Sequence, residues 1–71
     1  MKDKKFIINE HNWGEILRRI RQSNGLTQEE LGKRVGKSKK FISDIENQRI
    51  DPTYITYFRI IRELGYNINI V

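Results

Sequence analysis

Between residues 13 and 64 the apolar positions recur at intervals of three and four, and polar stop signals divide them into four segments. Trp13, Ile16, Leu17 and Ile20 make one apolar side and predict a helix over 13–23. Asn12 opens it, Glu15 is placed to complete a capping box, and Asn24-Gly25 ends it. Leu31 and Val35, four apart, predict a second helix over 27–34, with Thr27 and Glu30 as its capping box. Gly36 supplies the positive φ of a sharp turn. Ser38 caps a third helix over 38–46, whose inner side carries Ile42 and Ile45. Pro52 bars a helix in the polar loop that follows, and Thr53 caps a fourth over 53–64, stopped by Gly65. Tyr54, Tyr57, Ile61 and Leu64 lie at helical spacing there. Ile55, Phe58 and Ile60 widen that surface beyond one stripe, which on so small a chain implies a partner.

The ends change period. Residues 66–71 alternate apolar and polar, the mark of a half-buried strand, and 5–8 form a second short strand candidate. A lone strand is not stable in water and even a lone hairpin is marginal. These ends must therefore pair with each other, with a second copy or with another protein. The expected fold class is mainly α: one domain over 1–71, a helix bundle with short terminal β-strands.

With 71 residues the chain is near the lower limit for a self-sufficient core. It has no cysteine and one histidine, so disulfides and a zinc site are not expected to reinforce it, which leaves compact packing and self-association. No apolar run approaches the ~20 residues of a membrane span, and the basic start lacks a signal-peptide core. The expectation is a soluble, cytoplasmic protein with no membrane partner.

Charge changes the picture. The chain carries 14 Lys and Arg against 9 Asp and Glu, a formal net of +5. Lys33, Arg34, Lys37, Lys39 and Lys40 fall between Leu31 and Ser43 with no acid among them; the remaining 9 basic and 9 acidic residues cancel. The excess thus sits on the glycine turn and the start of the third helix. A localised basic patch is the footprint of a nucleic-acid binder, and two short helices joined by a tight turn are the device that pushes a helix into the major groove. Taking Ile42 as inward and stepping about 100° per residue, Lys40, Ser43, Asp44 and Asn47 fall on the outer face, with Lys39 beside them.

Nothing points to catalysis: there is no metal-ligand cluster, glycine-rich phosphate loop or nucleophile–base constellation. His11 reads as structural or exposed, and neither cofactor nor metal is expected. The chain is not read as an enzyme.

The ordered series Arg21, Gly25-Leu26-Thr27-Gln28, Glu30-Leu31, Gly36, Ile42-Ser43, Glu46, Asn47 and Pro52 resembles the Cro/phage-repressor (XRE) helix-turn-helix family over about residues 13–65. The resemblance implies a lambda-repressor-like bundle of four or five helices whose third helix reads DNA, as a dimer on a palindromic operator. On that basis Gln28, with Thr27 beside it, contacts phosphate, and Ser38, Lys39, Lys40 and Asp44 take the base-reading positions. Asn47 and Arg49 touch the backbone after the helix; Lys37, Phe41 and Ser43 complete the candidate surface. Arg21 and Glu46 match a structural ion pair.

Three positions depart from the family pattern. Gly32 stands where the family usually has alanine. Phe41 replaces a small polar residue and fits either a thymine methyl or the core. Asp44 replaces a basic or amide residue; it can accept from cytosine N4 or pair with Lys40 four residues earlier. The short form with a strand after the fourth helix is also similar to antitoxins of the HipB type. That implies a second reading, in which the chain binds a toxin protein (a HipA-like kinase or another effector) and autoregulates its operon. In either reading the homodimer would form through helix 53–64 and strand 66–71.

Overall fold

The computed structural model describes residues 11–66 as four helices: α1 Trp13–Ser23, α2 Gln28–Val35, α3 Lys39–Glu46 and α4 Tyr54–Glu63. Each spans the segment that periodicity marks out, with Thr27, Ser38 and Thr53 standing just outside as N-caps. Thr27 Oγ1 accepts the Glu30 N–H at 3.0 Å while Glu30 Oε1 accepts the Thr27 N–H at 2.8 Å, a complete capping box. Ser38 Oγ accepts from Phe41 N–H and Thr53 Oγ1 from Thr56 N–H.

α1 departs from its expected start. Asn12 occupies the N-cap position but its side chain makes no capping bond. Glu15 pairs with Arg19 at 2.8 Å one turn on instead of reaching back. The cap comes from just beyond α3, 34 residues on: Gln48 Oε1 accepts the Gly14 N–H at 3.0 Å.

Ile16, Leu17, Ile20, Leu31, Ile42, Ile45, Tyr57, Ile60, Ile61 and Leu64 form one buried cluster drawn from all four helices. Trp13 meets Tyr57 edge to face, ring centroids 6.2 Å apart, and the Tyr57 hydroxyl donates to the Trp13 carbonyl at 2.6 Å. Burial pushes the Tyr57 phenol well above its ordinary pKa. Two glycines allow the helices to approach. A Cβ on Gly14 would stand 2.5 Å from the Glu46 carbonyl oxygen, and one on Gly32 would stand 2.5 Å from the Lys37 carbonyl oxygen. Gly32 therefore seats α2 against the backbone that opens α3, which accounts for its departure from the family's alanine.

The expected face of α4 is corrected in two places. Tyr54 stands outside the core, 77% exposed, against the ring of Phe58; Ile60, expected on the widened outer surface, is in the core. The helix rotates so that Tyr57, Ile60, Ile61 and Leu64 face inward, leaving Tyr54 and Ile55 in solvent.

The strand expected over 5–8 and residues 67–71 of the second strand lie outside the described residues. Tyr66, the first of that strand, is half-buried against the core, and its N–H donates to the Ile61 carbonyl, closing the end of α4. Among the described residues no helix is long and apolar enough to cross a membrane.

Candidate nucleic-acid interface

α2 and α3 meet at the Gly36 turn, where φ is +71°. The start of α2 is thereby joined to the end of α3, through Gln28 and Glu46. This junction rests on a buried carboxylate. Glu46, 3% exposed, accepts Arg21 Nε at 2.6 Å and Arg21 Nη2 at 3.1 Å, a two-point clamp between α3 and α1. The third Arg21 nitrogen, Nη1, donates to the Leu26 carbonyl at 2.7 Å, fixing the α1–α2 connection. Gln28 Nε2 donates to Glu46 Oε1 at 3.1 Å and Arg18 Nε lies 3.5 Å from the same oxygen. No buried side-chain nitrogen or oxygen among the described residues lacks a partner.

Gln28 is thus half-buried and oriented from below by Glu46. Thr27 beside it spends its hydroxyl on the capping box. The first amides of α2 point out of the helix end, where the dipole favours an anion. The capping bond from the Thr27 backbone holds the Glu30 carboxyl below its usual range.

On α3, Ser38, Lys39 and Lys40 are exposed at the amino end and Ser43 is half-buried further along. Lys37, in the turn, lies 5.0 Å over the Phe41 ring centroid; Phe41 itself is half-buried against the core. Asn47 follows the helix, its Nδ2 donating to the Ser43 carbonyl and its Oδ1 accepting from Arg18 at 3.2 Å.

Asp44 is not on the outward face that the helical wheel predicts. It is 9% exposed, with Lys40 Nζ 2.8 Å from Oδ2 and Arg49 Nη1 3.3 Å from Oδ1. The cause is the chain beyond α3: Gln48 adopts a left-handed φ of +55°, and the Arg49 N–H returns to the Asp44 carbonyl at 2.8 Å. That fold-back covers the side of α3 which an isolated helix would leave open. The Lys40 ammonium, then Arg49, hold the Asp44 carboxyl below the ordinary aspartate range. Of the basic residues on α3, Lys40 is tied to this carboxylate while Lys39 has no ion pair.

The structure thus links Gln28 and Asn47 through Glu46 and Arg18, Lys40 and Arg49 through Asp44, and Lys37 to Phe41; Thr27, Ser38 and Lys39 are exposed, and Phe41 and Ser43 are half-buried. Sequence reasoning missed two contributors. Arg18 holds both Asn47 and Glu46; its place three residues before Arg21, on the same side of α1, was the available signal. Gln48 had none, because its partner is 34 residues away. Among the described residues no group of three His, Cys, Asp or Glu side chains could hold a metal ion.

Four capped helices, the second and third joined by a glycine turn and braced by a buried Arg–Glu clamp, define a helix-turn-helix protein. A model of the helix-turn-helix family matches residues 17–71, and the chain belongs to that family. An uncharacterized HTH-type transcriptional regulator of Sinorhizobium fredii is 40% identical over 52 residues, 73% of this chain and 68% of the relative. Antitoxin HipB of Escherichia coli K12 is 42% identical over 45 residues, 63% of this chain and about half (51%) of that protein. Among solved structures, a chain of a HipB–O1–O2 complex superposes with a TM-score of 0.78 at 29% identity, covering 96% of this chain and 99% of that one. A chain of a HipA–HipB–O2–O3 complex gives 0.77, also at 29% identity, covering 96% of each.

Proposed function

We propose that this chain is a DNA-binding transcriptional regulator that sets α3 into the major groove, as a dimer on a palindromic operator, without enzymatic activity and in the cytoplasm. The observation that carries the reading is a division of labour between α3 and the segments beside it. Lys39 is exposed and without an ion pair at the start of α3, while Gln28 on α2 and Asn47 and Arg49 after α3 are held by Glu46, Arg18 and Asp44. Held side chains suit phosphate contacts that set register; a free ammonium suits donation to guanine O6 and N7. Lys39 is accordingly the primary base reader and Lys40 the secondary one, presented by Asp44. Two copies of α3 must lie one DNA turn apart, ~34 Å, and the dimer contact would fall to the Tyr54–Phe58 side of α4 and the chain after it.

The test is binding to duplex DNA, of random sequence and from upstream of the gene, across a salt series. A dimer that neutralises about six phosphates should lose ~5 in log K per unit of log[salt]. Lys39→Ala should relax base preference by ~1–3 kcal/mol, whereas Asn47→Ala should weaken all sequences alike. Salt-insensitive behaviour, with no duplex binding below the micromolar range, would sink this reading.

A second reading, an antitoxin that also binds a toxin protein, is favoured by the similarity to HipB and by the exposure of Tyr54 and Ile55 on α4. Co-purification with the product of the adjacent reading frame tests it.

A further inference from the structure

The described residues include seven arginines. Arg18, Arg19, Arg21 and Arg49 are each in an ion pair; Arg34, Arg59 and Arg62 are in none. Those three line one groove between the last turn of α2 and the outer side of α4, together with Val35 and Glu63. On α4, Ile55, Arg59 and Arg62 recur at i, i+4 and i+7 and so share a face, on which Ile55 is 66% exposed.

We propose that this groove is a docking site for an acidic, partly apolar segment of a partner protein. Three unpaired guanidinium groups at one place repel one another and are each a planar fork for an oxyanion. Glu63 in the lining and Glu30 near Arg34 offset only part of this charge, and entering carboxylates or phosphates would balance the rest. The walls choose between these. Val35 in the groove, and Ile55 exposed further along the same face of α4, offer apolar contact that a phosphodiester chain cannot use, and the Glu63 carboxylate in the lining repels continuous phosphate more than an interrupted acidic peptide. An amphipathic helix with carboxylates at alternate turns meets both features, since the Ile55–Arg59–Arg62 stripe has helical spacing itself. The site is separate from the α3 surface: Arg34 lies at the opposite end of α2 from Thr27 and Gln28, and α4 carries none of the duplex contacts proposed above. The inference therefore goes beyond the duplex-binding reading and does not depend on it.

The test titrates the full chain with a fluorescent twelve-residue peptide of alternating Glu-Glu and Leu-Leu pairs, with duplex affinity and melting temperature measured in parallel. The wild type should bind the peptide. Arg59→Ala combined with Arg62→Ala should weaken that binding by about tenfold or more while duplex affinity stays within about twofold and the melting temperature is unchanged; Lys39→Ala should leave the peptide affinity unchanged. Three results overturn the proposal. The peptide fails to bind at millimolar concentration, or Lys39→Ala weakens it as much as the double change, which would mean bulk charge alone. Or the double change lowers duplex affinity in step, which would assign the groove to a phosphate backbone.

Discussion

The side-chain oxygen of Gln48 accepts the backbone N–H of Gly14 at 3.0 Å, so the residue that ends α3 is also the cap that starts α1. α1, α2 and α4 are each followed by a glycine at positive φ, at positions 25, 36 and 65; α3 is followed by Gln48 at +55°. In each case the next N–H returns to a carbonyl five residues back, as from Arg49 to Asp44 and from Tyr66 to Ile61. A non-glycine residue in this conformation costs about 1–2 kcal/mol, and the cap on α1 returns about 1 kcal/mol.

Gln48 is therefore a compromise that substitution can separate. Gln48→Ala keeps the strained backbone and loses the cap, so it should lower stability by about 1 kcal/mol. Gln48→Gly loses the same cap but relieves the strain and should remain close to wild type. Equilibrium urea unfolding of the two variants gives the comparison; equal losses would mean that the backbone at residue 48 is unstrained.

The Glu46 carboxylate binds α1, α2 and α3 together through Arg21 and Gln28. Glu46→Ala leaves the Arg21 guanidinium buried without its partner and should cost ~3–5 kcal/mol. Gln28→Ala removes only the exposed-side partner and should be much milder, near 1 kcal/mol, while weakening duplex binding for every sequence. Thermal melting beside anisotropy titration distinguishes the two. A Glu46→Ala protein that melts like wild type would show that the clamp does not hold the bundle.

Alanine at position 32 would improve helix propensity by about 1 kcal/mol. Its Cβ would nevertheless fall 2.5 Å from the Lys37 carbonyl oxygen, which is backbone and cannot swing aside. Gly32→Ala should be destabilising by ~1–3 kcal/mol and should shift α3 relative to α2, lowering duplex affinity as well. A stabilised variant would mean that the turn relaxes freely.

Asp44 governs how Lys40 and Arg49 are presented. Asp44→Asn removes a negative charge from beneath the proposed duplex face and frees both cations. Affinity for random duplex should rise, and discrimination between selected and random duplex should fall about fivefold to tenfold, as read by competition binding. The same residue predicts an acid limb. Both Asp44 and Glu30 have folded-state pKa values below their unfolded ones. Their contribution is therefore present above the ordinary carboxylate range of about 4 and is lost as pH falls through the folded values. The melting temperature should be level from pH 7 to 5 and decline below about 4, less steeply in Asp44→Asn.

What could be read along the chain was local. Helix ends at Thr27, Ser38 and Thr53 follow from a hydroxyl meeting an amide three residues on, and Ile42 with Ile45 marks an inner side through the helical repeat alone. The family resemblance supplied the Arg21–Glu46 partnership, which no rule of spacing links across 25 residues. Tertiary structure decided the remainder. Asp44 is buried because Gln48 turns the chain back over α3, Tyr54 is exposed because α4 presents Tyr57 to Trp13 instead, and α1 is capped from a residue 34 positions away. Caps and periodicity act within about one helical turn, so sequence shows them directly. Burial and charge pairing depend on which distant segments arrive at the same place, and packing around the shared core determines that.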